Sequence, residues 1–311
     1  MPATKVVTQA IDLHQNKGGA MTRKDSSVEV IPTGAALGAD VAGFDINNFS
    51  EEEFADIHQA WLDHLILRIR GQDIDDHAHR EFAKRFGPLE LSPKTKFTGK
   101  PWLPDFPEMS QITNKKVNGE PVGTLGNKDA YWHTDMSYIE TPPKASLLHA
   151  FEVPPTGGDT HFLNMYEALD QLPKHLRAAI EGESIKHQQV YSSDGSVRRG
   201  MEKPESEDPR DWPGAVHPII RTHPETKRQA LFLGRRVKGY IMGMPLDESE
   251  ALLDELWDFA TGNPAWTWSQ QWQVGDLIMW DNRCAMHARD GFDDNHIRLM
   301  HRTVLLGDKP F

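Results

Sequence analysis

The sequence predicts a mainly β protein with added helices, built as a sandwich or barrel, and two observations lead to this fold class. From about Met109 onward, short segments of alternating apolar and polar residues follow one another between Gly, Pro, Asn and Asp, for example ASLLHAFEVP, RQALFLG, DLIMWDN and IRLMHRTVLLG. The chain of 311 residues is long enough for one large domain. No repeat or linker divides it, so we expect a single domain over residues 28–311.

The elements before the strand-rich part are a leader, two helices and a strand. Residues 1–27 are polar and lack periodicity, which predicts a flexible leader. A helix follows at SEEEFADIHQAWLDHL, where Ser50 and Glu53 form a capping box. LILRIRG is predicted to be a strand. A second amphipathic helix, DDHAHREFAKRFG, is expected to end at Gly87.

Two helical segments interrupt the later strands. NMYEALDQLPKHLRAAIEG is predicted to break at Pro173, because proline lacks the amide donor that a helix interior needs. In DESEALLDELWDFATG, Asp247 is the predicted N-cap and Gly262 the predicted end. Between these segments, the Pro-rich stretch SSDGSVRRGMEKPESEDPRDWPGA is either a lid over a site or a disordered insert.

The composition disfavours several kinds of partner. The formal net charge of -12 argues against nucleic acid and anionic membrane surfaces, since both attract clustered Lys and Arg. No stretch approaches the roughly 20 apolar residues of a membrane span, and the first residues lack a signal peptide's apolar run. We therefore expect a cytoplasmic protein that acts on a small molecule. Cys284 is the single cysteine, so any metal must be bound by His, Asp or Glu.

The segment YWHTDMSY contains the first candidate metal ligands, His133 and Asp135. It is predicted to be extended, so that side chains two positions apart share a face. A mononuclear iron centre for oxygen chemistry needs two His and one carboxylate on one face of an octahedron. His287, in MWDNRCAMHARDGF, is the best candidate for the third ligand. The pair alone is weak evidence, because most His-x-Asp pairs are hydrogen-bonded surface residues.

The segment HIRLMHRTVLLG contains Arg298 and Arg302, which are four residues apart and share a face of the predicted strand. Guanidinium groups bind carboxylate-like anions bidentately, so two arginines in one cavity suit two such anions. Structural salt bridges are the usual explanation for an isolated arginine pair. Here the spacing from the two histidine segments favours an anion-binding role.

Taken together, these residues resemble the taurine dioxygenase and phenoxyacetate-herbicide dioxygenase (TauD/TfdA) family of Fe(II)- and 2-oxoglutarate-dependent enzymes. The likeness runs from about Val28 to the final GDKPF, and its anchors are WHTDMSYIETPP, PPTGGDTHF, IIRTHPETKRQALFLG, WDNRCAMH and RLMHRTVLLGDKPF. The resemblance implies a double-stranded β-helix, or jelly roll, decorated by helices. It also implies a homo-oligomer, either a dimer or a tetramer.

The resemblance assigns roles by position in these motifs. It implies that His133, Asp135 and His287 bind Fe(II), that Arg298 holds the distal carboxylate of 2-oxoglutarate with Thr160 as its hydroxyl partner, and that Arg302 faces the substrate anion. The implied reaction consumes dioxygen and 2-oxoglutarate, releases succinate and CO2, and hydroxylates a substrate carbon. The protein's task is then geometry, since one carbon must be held near the oxidant. A hydroxyl placed beside a heteroatom makes the product fragment.

The implied substrate is a small organic anion, and the loop after RFG bears on its identity. Taurine enzymes carry a histidine and a tyrosine there, where PLELSPKTK offers Ser92 and Thr95. FGPLELS, PPTGGDT and MWDNRC lie closer to the phenoxyacetate branch, in which a loop lysine assists an arginine. Lys94 or Lys96 is the candidate, with solvated surface charges as the alternative. An aryloxyalkanoate-like carboxylate is therefore the predicted substrate, and a sulfonate or alkyl sulfate ester is the alternative.

Two other classes of protein remain open on the sequence alone. A zinc hydrolase would use the same two histidines and aspartate with an activated water. It would leave both arginines without a role, and no general base is evident beside the ligands. A non-catalytic jelly-roll binding protein is the other alternative, and the complete set of ligands and arginines disfavours it.

Overall fold

The computed structural model describes residues 28–124, 126–198 and 200–311, so the predicted leader, residues 1–27, lies outside the described part. Strands dominate, as the sequence predicts. In chain order they are β1 (Glu29–Pro32), β2 (Ala39–Ala42), β3 (Ile66–Ile69), β4 (Ser110–Thr113), β5 (Lys116–Val117), β6 (Glu120–Pro121), β7 (Ala130–His133), β8 (Ala145–Glu152), β9 (Thr160–Asn164), β10 (Ser184–Gln188), β11 (Gly214–Pro218), β12 (Ile220–Thr222), β13 (Gln229–Leu231), β14 (Tyr240–Ile241), β15 (Thr267–Gln270), β16 (Leu277–Asp281), β17 (Ala285–Arg289) and β18 (Leu299–Leu305).

The helices lie between the strands. They are α1 (Glu51–His64), α2 (Asp76–Arg85), α3 (Pro93–Thr98), α4 (Met165–Asp170), α5 (Lys174–Ile180) and α6 (Leu246–Thr261). No helix in the described part of the chain has the length and apolar character that crossing a bilayer requires.

Two sheets pack face to face at the centre of the fold. The larger has the strand order β1-β2-β3-β16-β8-β18-β4, and the smaller has the order β15-β9-β17-β7. Phe162 of the smaller sheet lies against Trp280 of the larger one, with 5.8 Å between ring centroids. Leu148 and Met300 are buried in the same apolar core. The predicted mainly β class with added helices is confirmed, and the paired sheets are those of a double-stranded β-helix, or jelly roll.

A second apolar core lies between the larger sheet and the first helices. Trp61 of α1 is completely buried there, with Leu277 and Met279 of β16 in the same core. The alternate residues of β16, Ile278 and Trp280, point into the core between the sheets. Because both faces of this strand are covered, DLIMWDN is continuously apolar at its centre rather than alternating.

Most predicted helix ends are confirmed. Ser50 accepts a hydrogen bond from the Glu53 amide (3.1 Å), and Glu53 accepts one from the Ser50 amide (2.8 Å), which completes the capping box. α4 ends before Pro173 and α5 begins after it. Gly262 follows α6, and Gly87 lies just beyond α2 with a φ of 142°.

The predicted N-cap of α6 is wrong. The helix begins at Leu246, directly after Pro245, and no side chain caps it. Proline fixes φ near the helical value, so it starts the helix without a capping side chain. Asp247 consequently lies in the first turn, where its negative charge interacts favourably with the helix dipole.

The stretch between β10 and β11 packs onto the domain in its described part, which is not what a disordered insert would do. Trp212 is completely buried, and its Nε1 donates a hydrogen bond to the Ser206 carbonyl (2.9 Å). The Tyr191 ring lies 5.3 Å from the Trp212 ring. The polar composition of the stretch did not reveal these aromatic anchors.

Candidate active site

Three predicted ligands, His133, Asp135 and His287, meet in one buried cluster. β7 pairs with β17 so that His133 lies directly opposite His287, and 4.1 Å separates the two ring centroids. One ligand atom from each of the three side chains lies within 4.8 Å of the others. All three residues are buried. Strand pairing thus joins segments that are far apart in the sequence.

Asp135 reaches this cluster from a turn rather than from a strand. The prediction that the pair shares a strand face is wrong in this detail, because β7 ends at His133. Asn282, in the loop after β16, accepts a hydrogen bond from the Asp135 amide (2.8 Å) and donates one to the Asp135 carbonyl (3.0 Å). With the turn held in this way, the Asp135 Oδ1 atom lies 3.6 Å from Nε2 of His133.

The protonation states are those of a metal-ligand set. Burial alone would raise the pKa of Asp135, but the Arg302 guanidinium holds it well below its usual range. Burial lowers the pKa of His287 to about 3, so its imidazole is neutral. His133 donates its Nδ1 proton to the Tyr131 carbonyl (2.7 Å), which leaves the Nε2 lone pair toward the cluster. Two imidazoles and one carboxylate are a donor set that fits Fe(II), the ion that the resemblance implies.

Arg298 is a buried guanidinium that pairs with no carboxylate in the described part of the chain, although the Asp159 charge stabilises its protonated form. The residue is 2% exposed, it forms no salt bridge with any residue in the described part of the chain, and its Nε has no hydrogen-bond partner there. Burial lowers its pKa to about 9. A charge buried in this way is costly unless an anion neutralises it. The position therefore suits a carboxylate supplied by a ligand.

Thr160 and Trp272 flank this guanidinium. Trp272 donates its Nε1 proton to the Thr160 hydroxyl (3.0 Å), and the Arg298 guanidinium lies 5.4 Å from the centroid of the Trp272 ring. The hydroxyl and the guanidinium are thus linked through one indole. Trp272 is a site residue that was not predicted from the sequence. The only sequence feature that could have indicated it is its position in WTWSQQW, just before a strand.

Arg302 contacts the cluster itself. Its Nη1 donates a hydrogen bond to Oδ2 of Asp135 (3.1 Å), and its Nε has no partner in the described residues. Its side chain keeps 19% of its surface exposed. The residue can therefore orient the carboxylate of Asp135 and still offer donors to an anion.

The structure does not bring the loop lysines to this cluster. Lys94 lies over the ring of Trp102, 3.5 Å from its centroid, and Lys96 pairs with Glu90. Lys94 lines a separate surface depression with Trp102 and Gln111. The loop folds into α3, and both lysines contact residues outside the cluster.

Ser92 and Thr95 have a structural task in the same loop. Ser92 is the N-cap of α3, and its hydroxyl lies 2.8 Å from that of Thr95. The Thr95 hydroxyl also donates to the carbonyl of Pro107 (2.7 Å). These contacts occupy the hydroxyl groups that stand where the taurine enzymes carry their histidine and tyrosine.

A second group of potential ligands, His223, Asp281 and Cys284, has a structural arrangement. The Asp281 carboxylate accepts hydrogen bonds from the Arg283 guanidinium (2.8 and 2.6 Å) and from Nε2 of His223 (3.0 Å). Nδ1 of His223 accepts from the amide of Thr226 (3.0 Å). Both nitrogens of the imidazole are therefore occupied. Burial raises the pKa of the Cys284 thiol well above its usual value, so the thiol stays protonated and unreactive.

Comparison with known proteins gives consistent similarities. Residues 29–304 match the family described as "Taurine catabolism dioxygenase TauD, TfdA family". The chain is 32% identical to the (S)-phenoxypropionate/alpha-ketoglutarate-dioxygenase of Delftia acidovorans, over 91% of this chain and 96% of that protein. It is also 32% identical to the alpha-ketoglutarate-dependent 2,4-dichlorophenoxyacetate dioxygenase of Burkholderia sp. (strain RASC), over 83% and 87%. A crystal structure of a taurine dioxygenase from Burkholderia xenovorans superimposes with a TM-score of 0.73 at 30% identity, covering 92% of this chain and 93% of that one.

Proposed function

We infer the reaction from one premise: the chain belongs to the taurine catabolism dioxygenase TauD, TfdA family. It is an Fe(II)- and 2-oxoglutarate-dependent dioxygenase that hydroxylates a carbon of a small organic anion and releases succinate and CO2. The substrate class is an aryloxyalkanoate-like carboxylate, in which hydroxylation next to the ether oxygen makes the product fragment. The observation that carries the proposal is the buried cluster of His133, Asp135 and His287, together with the unpaired guanidinium of Arg298.

In this proposal His133, Asp135 and His287 are the protein ligands of Fe(II), and they leave positions for other ligands. When bound, the iron and 2-oxoglutarate supply an oxidant for an unactivated C–H bond. Asn282 fixes the backbone that carries the carboxylate, and Arg302 holds the second oxygen of Asp135. These contacts define the direction of the carboxylate before any metal binds.

Arg298 and Thr160 bind the distal carboxylate of 2-oxoglutarate. The guanidinium is charged at neutral pH, and the co-substrate provides the counter-ion that it lacks. The Thr160 hydroxyl receives its hydrogen bond from Trp272 and can donate its own proton to the carboxylate. This pairing holds the co-substrate in one orientation.

Arg302 faces the anionic group of the substrate while it orients Asp135. Its unpaired Nε and exposed surface leave donors for a carboxylate or sulfate group. A sulfonate or alkyl sulfate ester is therefore the second candidate substrate, since the same guanidinium binds either anion. A role for Lys94 or Lys96 in this site would require α3 to rearrange. A cytoplasmic location and a homo-oligomeric assembly complete the proposal.

The decisive experiment is anaerobic titration of the purified protein with Fe(II) and then with 2-oxoglutarate. Chelation of 2-oxoglutarate by the iron produces a weak visible absorption band, which we expect in the wild-type protein and not in His133→Ala or Asp135→Ala. In air, both variants should lose succinate release driven by phenoxyacetate. Near-normal turnover in either variant would refute the assignment of the ligands.

A matched control comes from the second buried group of potential ligands. His223→Gln removes an imidazole that bonds Asp281, outside the proposed metal centre. A folded His223→Gln protein should keep the absorption band. Well-folded wild-type protein that gave no band would favour the zinc hydrolase or the binding protein instead.

A further inference from the structure

Two arginines meet on one tyrosine ring near the metal cluster. The Arg198 guanidinium lies 3.8 Å from the centroid of the Tyr138 ring and donates to the Tyr138 hydroxyl. The Arg235 guanidinium lies 5.5 Å from the same centroid. Both donate to the carbonyl of Tyr191, at 3.4 Å from Arg198 and 2.9 Å from Arg235. Two like charges are therefore held close together by neutral groups.

Neither arginine pairs with a carboxylate in the part of the chain that the structure describes, although the charges of Asp135 and Asp194 stabilise the protonated form of Arg235. Neither forms a salt bridge there, and the buried Nε of each lacks a hydrogen-bond partner. Asp194 is the nearby carboxylate of the same loop, and its Oδ1 accepts hydrogen bonds from the hydroxyls of Ser192 and Ser196 (both 2.6 Å). Burial and the Arg198 charge together lower the pKa of Arg235 to about 10. The pair is thus a cationic site whose charges form no salt bridge with the described residues.

The neighbouring arginine shows that the chain neutralises such charges elsewhere. Arg236 directs its guanidinium to α6, where it bonds Glu250 (2.7 Å) and Asp254 (2.8 Å). Arg235 and Arg236 are adjacent residues of the same loop. The missing counter-ion at Arg235 is therefore a property of its place in the fold.

That place is the cavity next to the metal cluster. Thr134 lies between the ligands His133 and Asp135, and its amide donates a hydrogen bond to the carbonyl of Gly234 (2.9 Å). Arg235 is the next residue after Gly234, so it lies beside the ligands. Arg235 and His133 line one cavity of about 560 Å³, together with the aromatic residues Tyr131 and Trp132. The cavity therefore offers aromatic walls for an apolar body and a guanidinium for a charge.

We propose that Arg235 and Arg198 form a second anion subsite, and that the substrate is an organic molecule with two anionic groups, such as an aryloxyalkanoate with a second carboxylate on its ring. This inference rests on the proposed function, in which Arg302 faces the first anionic group and Arg298 holds 2-oxoglutarate. Arg302, Arg298 and the Arg235–Arg198 pair then each bind one anion. The second carboxylate lies between Arg235 and Arg198, where charge-assisted hydrogen bonds replace its water.

The test compares 4-carboxyphenoxyacetate, which has two carboxylates, with phenoxyacetate, which has one. Calorimetry on the protein loaded with Fe(II) and 2-oxoglutarate without oxygen gives both dissociation constants. Wild-type protein should bind the two-carboxylate compound about tenfold or more tightly. Arg235→Gln should abolish this preference, whereas Arg236→Gln, which removes the same charge from a residue that lines the same cavity but pairs with Glu250 and Asp254, should retain it.

Two results would overturn the proposal. The wild-type protein could bind both compounds equally tightly, or Arg235→Gln could weaken the binding of both compounds by the same factor. If Arg235→Gln is unfolded at the temperature of the assay, the ratio of the two dissociation constants is measured on Arg198→Gln instead. Failure of the proposed function is distinguishable, since it appears as absence of succinate release in air from either compound. The ratio of the two dissociation constants would still decide the subsite.

Discussion

Replacing Arg298 with methionine changes two measurable properties in opposite directions. The side chain is buried, unpaired among the described residues, and in contact with Trp272. Methionine has a similar length and no charge. We expect Arg298→Met to stabilise the protein without ligands and to weaken its binding of 2-oxoglutarate.

The structure gives the magnitudes. Burial lowers the pKa of Arg298 from its usual value to about 9, which corresponds to about 5 kcal/mol of unfavourable free energy for the charged form. The substitution by methionine removes part of this unfavourable free energy, but it also removes the attraction between the guanidinium and the Trp272 ring, worth about 1–2 kcal/mol. The net gain in the free energy of unfolding should be about 1–3 kcal/mol. Losing the charged partner of a buried carboxylate costs about 2–5 kcal/mol, or about 30-fold or more in the dissociation constant of 2-oxoglutarate.

Urea unfolding of the metal-free protein measures the first quantity, and anaerobic titration of the Fe(II) protein with 2-oxoglutarate measures the second. Arg283→Met is the matched control, because Arg283 is equally buried but paired with Asp281 and Glu225. It should destabilise the protein by about 3–5 kcal/mol, since it leaves Asp281 buried without its partner. The reasoning would be refuted if Arg298→Met were as destabilising as Arg283→Met, or if it bound 2-oxoglutarate like the wild type.

Two further predictions concern the support of the site and the acid sensitivity of the fold. Asn282→Ala leaves the amide and carbonyl of Asp135 without their partners, so it should lower the free energy of unfolding by about 2–4 kcal/mol and weaken Fe(II) binding; unchanged urea unfolding and Fe(II) affinity would contradict this. Burial lowers the pKa of His79 from 6.5 to about 3, so the unfolded chain binds the extra proton between these values and stability falls as the pH drops through that range. His79→Asn should reduce the slope of unfolding free energy against pH by up to about 1.4 kcal/mol per pH unit, and an unchanged slope between pH 4 and 6 would show that His79 is not the group responsible.

The helices and strands were largely predictable because their signals are local. The capping box of Ser50 and Glu53, the break at Pro173 and the end at Gly262 each depend on residues within one or two turns. The N-cap prediction at Asp247 was wrong because Pro245, two residues earlier in the chain, starts the helix instead. Competing local signals a residue or two apart therefore limit such predictions at helix ends.

The types of residues in the sequence also made it possible to predict the candidate metal ligands and the anion-binding arginines. A histidine and an aspartate in one segment, a histidine in another and two arginines in a third are enough to predict a divalent metal with anionic ligands. By itself, the sequence could not show that Asp135 lies in a turn held by Asn282, or that Lys94 and Lys96 contact Trp102 and Glu90. Those arrangements depend on contacts between distant segments, which leave no periodic signal.

The sequence by itself determined the chemical types, the fold class and the order of the elements in this protein, because side-chain chemistry and short-range periodicity are written in neighbouring residues. Only the tertiary structure decided which charges have partners. Arg298 and Arg235 look like Arg283 and Arg236 in the sequence, yet the first two form no salt bridge with the described residues and the last two do. The physical reason is that burial and pairing are set by what the fold brings within a few ångströms, not by the residue or its neighbours in the chain.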